Sequence, residues 1–208
     1  DSLMASPNGD KLWDSFLTEA VGKGLKGKQL YNAIPHRRMS ATIYKNYPQG
    51  KITVTDFLLG QYYLYEDALN SQEWNIESDS MKVVLGHECQ KATCSFRGRK
   101  WTAWFALDVP VSDGPLKFCG LPGLIMEVYD RGKQYYFCIN GMQQVSATPI
   151  TFGILDKDFK HFQKTDRKDF LLSKYRYLRN QNSINEASTG ISLGSVDEAL
   201  EYDLIEKE

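Results

Sequence analysis

The sequence predicts a mainly β protein of the α+β class, a curved antiparallel sheet of hairpins covered by an N-terminal and a C-terminal helix. Three observations predict it. "CQKATCSFRGRKWTAWFAL" (89–107) and "LIMEVYDRGKQYYFCING" (124–141) are each two alternating runs around a basic, glycine-containing tetrapeptide. Closing either hairpin sorts its side chains into an apolar and a mixed face, as antiparallel pairing requires. Apolar residues recur at helical spacing only toward the two ends of the chain.

In order along the chain, "DKLWDSFLTEAV" (10–21) places Trp13, Phe16, Leu17, Ala20 and Val21 on one helical stripe, and Gly22 and Gly24 supply the stop. "RRMSATIYKNYPQGKITVTDF" (37–57) reads as two strands around a Tyr-Pro-Gln-Gly turn. Short strand candidates follow at 62–65 and 74–76.

In the first hairpin the expected register pairs Phe96 with Trp101, Cys94 with Ala103 and Ala92 with Phe105. One face then carries Ala92, Cys94, Phe96, Trp101, Ala103, Phe105 and Leu107; the other carries Cys89, Lys91, Thr93, Ser95, Thr102 and Trp104. In the second, Tyr129 is set against Gln134 and Val128 against Tyr135. Leu124, Met126, Val128, Tyr135, Phe137 and Ile139 then share the apolar face, and Ile125, Glu127, Tyr129, Tyr136 and Cys138 the mixed one. A further strand candidate, "QQVSATPITF" (143–152), precedes a helix at 165–179 with Thr165 as its cap and Leu171, Tyr175 and Leu178 at i, i+4, i+7. The expected organisation is one β-rich domain over 1–179 and a flexible, polar tail over 180–208.

Between the hairpins, "GPLKFCGLPGLI" (114–125) concentrates backbone control. It lacks the lysine and hydroxyl of a phosphate loop, and Pro122-Gly123 suits a type II turn. The stretch reads as a rigid corner that delivers Leu124 into a core strand.

The 208 residues carry 25 Lys+Arg against 26 Asp+Glu, a net charge of -1, so no global field recruits nucleic acid or anionic membrane. No apolar run is long enough for a membrane span. The opening "DSLMASPNGDKLWDSF" lacks the basic and apolar regions of a secretion signal, so the expectation is either that the protein is not exported or that a signal was removed ahead of this numbering.

Chemistry-bearing residues are sparse. His36, His87 and His161 are the histidines, and no spacing resembles a metal or cofactor motif. His87 and Cys89 would share a strand face, yet a strand-end histidine beside a structural cysteine is the simpler reading. Asp108 and Asp113 bracket a loop, and Glu127 interrupts an apolar strand. A hydrolase would use Glu127 or the Asp108/Asp113 pair. The basic tip of Arg97, Arg99 and Lys100 would suit a structural module docking to an acidic partner. The favoured reading is a non-enzymatic binding protein without a cofactor, with Trp104, Glu127, Tyr129 and Tyr136 lining a ligand face.

Several segments resemble the GLPGLI family: "GHECQKA" (86–92), "FRGRKWTAWF" (96–105), "VPVSDGPLKFCGLPGLI" (109–125), "RKDFL" (167–171) and the closing "YDLIEKE". That family comprises bacterial exported proteins, most without an assigned function. Its members usually begin with one or two strands ahead of the matched region, and tend to carry Tyr at the position of His87. The resemblance implies a periplasmic or cell-surface address and favours disulfides, while the mixed face is expected to meet a lipid, peptide or envelope-protein partner. It supplies no catalytic residue. The face assignment pairs Cys89 with Cys138 and Cys94 with Cys119 if bridges form, taking the two hairpins as adjacent.

Overall fold

The structure, a computed structural model, describes residues 9–26, 29–30, 33, 41–146, 161–180, 183, 187 and 204–207. The chain divides into two units, Asp1–Ala41 with Asp169–Asp203, and Thr42–Lys168 with Leu204–Glu208. The first contains helix α1 (Gly9–Gly22) and most of α2 (Arg167–Arg179); the second contains every strand among the described residues.

Helix α1 ends where the sequence places its stop. Gly24 takes a positive φ of 70°, and Leu25 N–H reaches back to Ala20 O at 3.1 Å, the long closing bond of a glycine C-cap. The N-cap of α2 is Asp166, not the expected Thr165: its carboxylate accepts from Lys168 N–H at 2.7 Å, satisfying a donor the first turn leaves open.

The strands form two sheets instead of one. β1 (Thr42–Lys45), β2 (Lys51–Leu58), β3 (Gln61–Ala68) and β9 (Phe162–Lys164) make a four-stranded sheet in the order β1-β2-β3-β9. β4 (Asn75–Val84), β5 (His87–Phe96), β6 (Arg99–Ala106), β7 (Leu124–Asp130) and β8 (Tyr136–Cys138) make a five-stranded sheet in sequence order. All neighbours are antiparallel except β3 and β9. The weak candidate at 74–76 opens the ten-residue β4. The expected strand at 143–152 is absent from its described part, 143–146, and its remainder lies outside the described residues.

Both predicted hairpin registers shift by two residues. The β5–β6 turn is Arg97-Gly98, both at positive φ (50° and 72°), so Cys94 pairs with Trp101 and Ala92 with Ala103. A two-residue turn of this hand matches strand twist better than the expected four-residue loop. In the β7–β8 hairpin the loop is wider than expected, and Tyr129 pairs with Tyr136. An even shift preserves which face each side chain occupies, so most of the face assignment survives.

A bulge in β7 does change it. Trp104 pairs with Glu127 but Phe105 with Ile125, leaving Met126 as the extra residue. Ile125 therefore joins the apolar face with Val128, Ala92, Ala103 and Phe105, while Leu124, Met126 and Ile139 join Cys89, Ala106 and Val84 in a second apolar cluster. Leu107, expected in the core, lies beyond the end of β6 and is exposed.

The main apolar face is covered by the β6–β7 connection. Phe118 meets Trp101 edge-on at 4.7 Å and also contacts Phe96 and Trp74; Leu121 lies in the same cluster. Three consecutive carbonyls of this connection are caught by different elements: Lys117 O by Gln72 Nε2 (3.0 Å), Phe118 O by Lys45 Nζ (2.8 Å) and Cys119 O by Trp74 Nε1 (2.8 Å). Two of its glycines are required for close approach, whereas Gly120, at φ 90° with room for a Cβ, is required for turning. Gly123 packs against the main chain of Ala106, and Gly114 against the Ile125 side chain, with no room for a Cβ at either. Gly123 is not in the left-handed region, so the expected type II turn is corrected to a backbone crossing.

All four cysteines are free thiols. The expected Cys89–Cys138 bridge fails on strand order. β6 and β7 separate the two cysteines, which puts them roughly 14 Å apart at about 4.8 Å per strand. A disulfide needs Cα atoms within about 7 Å. The expected Cys94–Cys119 bridge is absent too: Cys94 lies in the main core, while the Cys119 thiol is directed to Gln72 Oε1 and Lys117 O.

Candidate functional site

The mixed face of the five-stranded sheet brings Trp104, Glu127, Tyr129 and Tyr136 together. Trp104 pairs directly with Glu127 across β6–β7, Tyr129 with Tyr136 across β7–β8, and Glu127 with Cys138. Side chains of directly paired residues project to the same side, so register alone produces the convergence. The Tyr129 and Tyr136 rings stack with centroids 6.0 Å apart and planes 23° from parallel, and Tyr136 is half exposed.

Charges are threaded between the rings. Lys82 of β4 donates to Glu127 Oε2 at 2.5 Å and lies 4.8 Å from the Trp104 ring. Lys133 sits 5.1 Å from the Tyr129 ring, and Lys91 donates to Glu77 at 2.8 Å. That bond raises the Lys91 pKa. Partial desolvation, then Cys138 and the Glu127 carboxylate, push the Tyr136 phenol up to about 12. Tyr136 therefore stays a neutral donor across physiological pH. The Trp104 indole N–H is buried without a hydrogen-bond partner among the described residues, and its ring packs on the cluster of Cys89, Ala106 and Met126. Trp104 is thus the floor of this face, and Tyr136 its exposed edge.

The acids considered for hydrolysis, Asp108, Asp113 and Glu127, are each engaged by a basic side chain. Asp108 is held by His87 Nδ1 at 2.7 Å, whereas Asp113 is held by Lys45 at 2.5 Å. Glu127 and Glu77 share the mixed face but lie three strands apart, roughly 14 Å at the backbone. Cys89 is fully buried, burial raises its pKa, and its thiol is directed to the His87 main-chain carbonyl instead of the ring. A buried, protonated thiol is a poor nucleophile.

The basic tip is consumed internally. Arg97 donates to Asp67 at 2.9 Å, and Arg99 is buried with Asp130 at 3.0 Å; only Lys100 stays exposed. Arg97 belongs to a largely buried ionic cluster drawn from parts of the chain far apart in sequence. Lys117 bridges Asp67 (2.7 Å) and Glu206 (2.5 Å), and Arg167 reaches the same two acids at 3.6 and 3.2 Å. Tyr65 lies among them, its phenol pKa raised by burial and by Glu206, Asp67 and Asp56. Residues 204–207, within the stretch expected as a flexible tail, are docked here. Arg99 donates to the carbonyls of Leu204 (2.8 Å) and Ile205 (3.0 Å), Ile205 packs on the main core, and Lys207 N–H meets Arg97 O at 3.1 Å. The signal was present only as the resemblance of "YDLIEKE" to family ends.

Among the described residues no group of three metal-binding side chains occurs, and no helix is long and apolar enough to cross a membrane.

Comparison with known proteins bears on one part of the chain. No curated protein matches it. Two solved structures of PNGF-II show distant similarity. The P21 form gives a TM-score of 0.39 at 17% identity, covering 59% of this chain and 22% of that one. The C2 form gives 0.37 at 18%, covering 60% and 23%. The chain thus spans less than a quarter of the length of those structures. A family described as "Protein of unknown function (Porph_ging)" matches residues 97–127, which hold β6, the covering connection and the first half of β7. Through the segment that covers its main core, the chain is similar to a family of unknown function.

Proposed function

We propose that this chain is a non-enzymatic binding protein of the GLPGLI type, exported to the periplasm or cell surface, whose mixed sheet face takes a peptide. One observation carries the reading: the stacked Tyr129–Tyr136 pair beside the Lys82–Glu127 ion pair, with Tyr136 half exposed. An aromatic surface flanked by both signs of charge offers stacking, donors and acceptors to an extended peptide. Two acids at glycosidase spacing, about 5–9.5 Å, are not what the register of this face provides, which favours binding over hydrolysis.

The test is selection of a random peptide library on the immobilised chain, followed by binding of the enriched peptides to Tyr136→Ala and Glu127→Gln. Enriched peptides that lose at least about tenfold in affinity on either variant support the reading. No enrichment, or equal binding to both variants, overturns it. Fractionation of the native host tests the address; a cytosolic pool would contradict it.

A further inference from the structure

We infer that the β2–β3 hairpin tip is a lipid-docking element that inserts Leu59 and its aromatic collar into an anionic membrane surface. This inference is independent of the peptide face, which lies on the other sheet.

The tip is a two-residue turn, Leu59-Gly60, closed by the Leu58–Gln61 pair, with φ of 51° and 80°. Both central residues of such a turn sit in the left-handed region, where Asn, Asp and Gly are favoured and a leucine is strained. Leu59 is nonetheless held there with 60% of its surface in solvent. Behind it, Phe57, Tyr62 and Phe162 form a row across three strands, because Phe57 pairs with Tyr62 and Tyr62 with Phe162. The rings touch at 4.8 and 5.5 Å, and Phe57 and Tyr62 are 47% and 36% exposed. Strain kept at an exposed apolar position points to use.

The chemistry of the tip selects the partner. An aliphatic apex ringed by aromatics, one carrying a phenol, matches the transition from acyl chain to headgroup. Residues 57–63 and 161–164 contain no carboxylate and include the exposed Lys164, and the flanking Asp56 is buried, so the charge complements an anionic surface. The other exposed leucine turn, at Leu85-Gly86, differs on this point: the exposed acids Glu88 and Asp108 lie close to it in the strand register.

The experiment is co-sedimentation of the full chain with vesicles of pure phosphatidylcholine and with vesicles containing phosphatidylglycerol, for wild type, Leu59→Asn, Phe57→Ser and Lys164→Glu. Wild type should partition to the anionic vesicles. Leu59→Asn should lower that partition by about tenfold or more, yet melt at the same temperature as wild type or higher, because asparagine suits the turn. Phe57→Ser should weaken partition to both vesicle types, and Lys164→Glu should remove the anionic preference. Absence of wild-type binding to either vesicle overturns the inference and leaves a protein pocket as the tip's partner. Unchanged partition of Leu59→Asn overturns it equally.

Discussion

Replacing Gly123 by alanine should damage the fold more than any other glycine-to-alanine change in the connection. A Cβ there would stand 2.0 Å from Ala106 O, 2.7 Å from its carbonyl carbon and 3.2 Å from Leu107 Cα. A carbon meets a carbonyl oxygen comfortably at about 3.3 Å or more, so the main chain must move by over ~1 Å. All three obstructing atoms are backbone, and no side chain can rotate away. The displacement falls where Ala106 pairs with Leu124 and where Leu124 N–H bonds Val109 O at 3.0 Å. Overpacking costs about 1–3 kcal/mol or somewhat more, and a lost hydrogen bond about 1 kcal/mol. The expected loss is therefore about 3–4 kcal/mol, roughly 10 °C in Tm for a chain of this length. Gly114→Ala meets only the Ile125 side chain, and Gly141→Ala meets nothing within 4 Å. Thermal and urea unfolding followed by circular dichroism should rank the losses Gly123 > Gly114 > Gly141. Gly123→Ala within about 1 kcal/mol of wild type would refute the close crossing of β7 over the end of β6.

Other predictions concern the thiols and the ionic cluster. Under native conditions iodoacetamide should modify Cys138 quickly and spare buried Cys89, Cys94 and Cys119, with four modified sites in denaturant; fewer than four without reductant would reveal a bridge. Burial pushes the Cys94 thiol up to about 12 from 9.0. The unfolded chain therefore ionises first, and this contribution to stability, intact below pH 9, should be lost as pH rises from about 9 to 12. Urea midpoints across that range measure it, and a Cys94→Ala chain with an unchanged alkaline decline would discount the thiol. Glu206→Gln removes one acid facing Lys117 and Arg167 and should cost about 2–4 kcal/mol. A neutral effect in urea unfolding would show that the docking of residues 204–207 contributes little.

What was legible in the sequence is what depends on parity. Alternation along β5, β6, β8 and the part of β7 beyond its bulge places Ala92, Phe105, Tyr129 and Tyr136 on their observed sides although both hairpin registers differ by two, since an even slip leaves faces unchanged. The Met126 bulge was not legible, because one inserted residue exchanges the faces of Leu124 and Ile125 without altering composition. Strand order was equally hidden: the disulfide pairing assumed adjacent cysteine strands, and β6 and β7 lie between Cys89 and Cys138. The basic tip misled for a related reason. Arg97 and Arg99 look solvated until Asp67, Asp130 and Glu206 arrive from distant parts of the chain. Of the candidate site, the convergence of Trp104, Glu127, Tyr129 and Tyr136 was readable from register; the lysines that fill it from β4 and the β7–β8 loop were not.

The central claim, that this face binds a peptide, is tested most directly by titrating a library-selected peptide into the ¹⁵N-labelled chain and mapping the shifted amides. The account predicts shifts concentrated at Lys82, Lys91, Glu127, Tyr129 and Tyr136, with the Trp104 indole N–H moving as the floor responds. Shifts that leave these residues unmoved and gather elsewhere on the two sheets would contradict it.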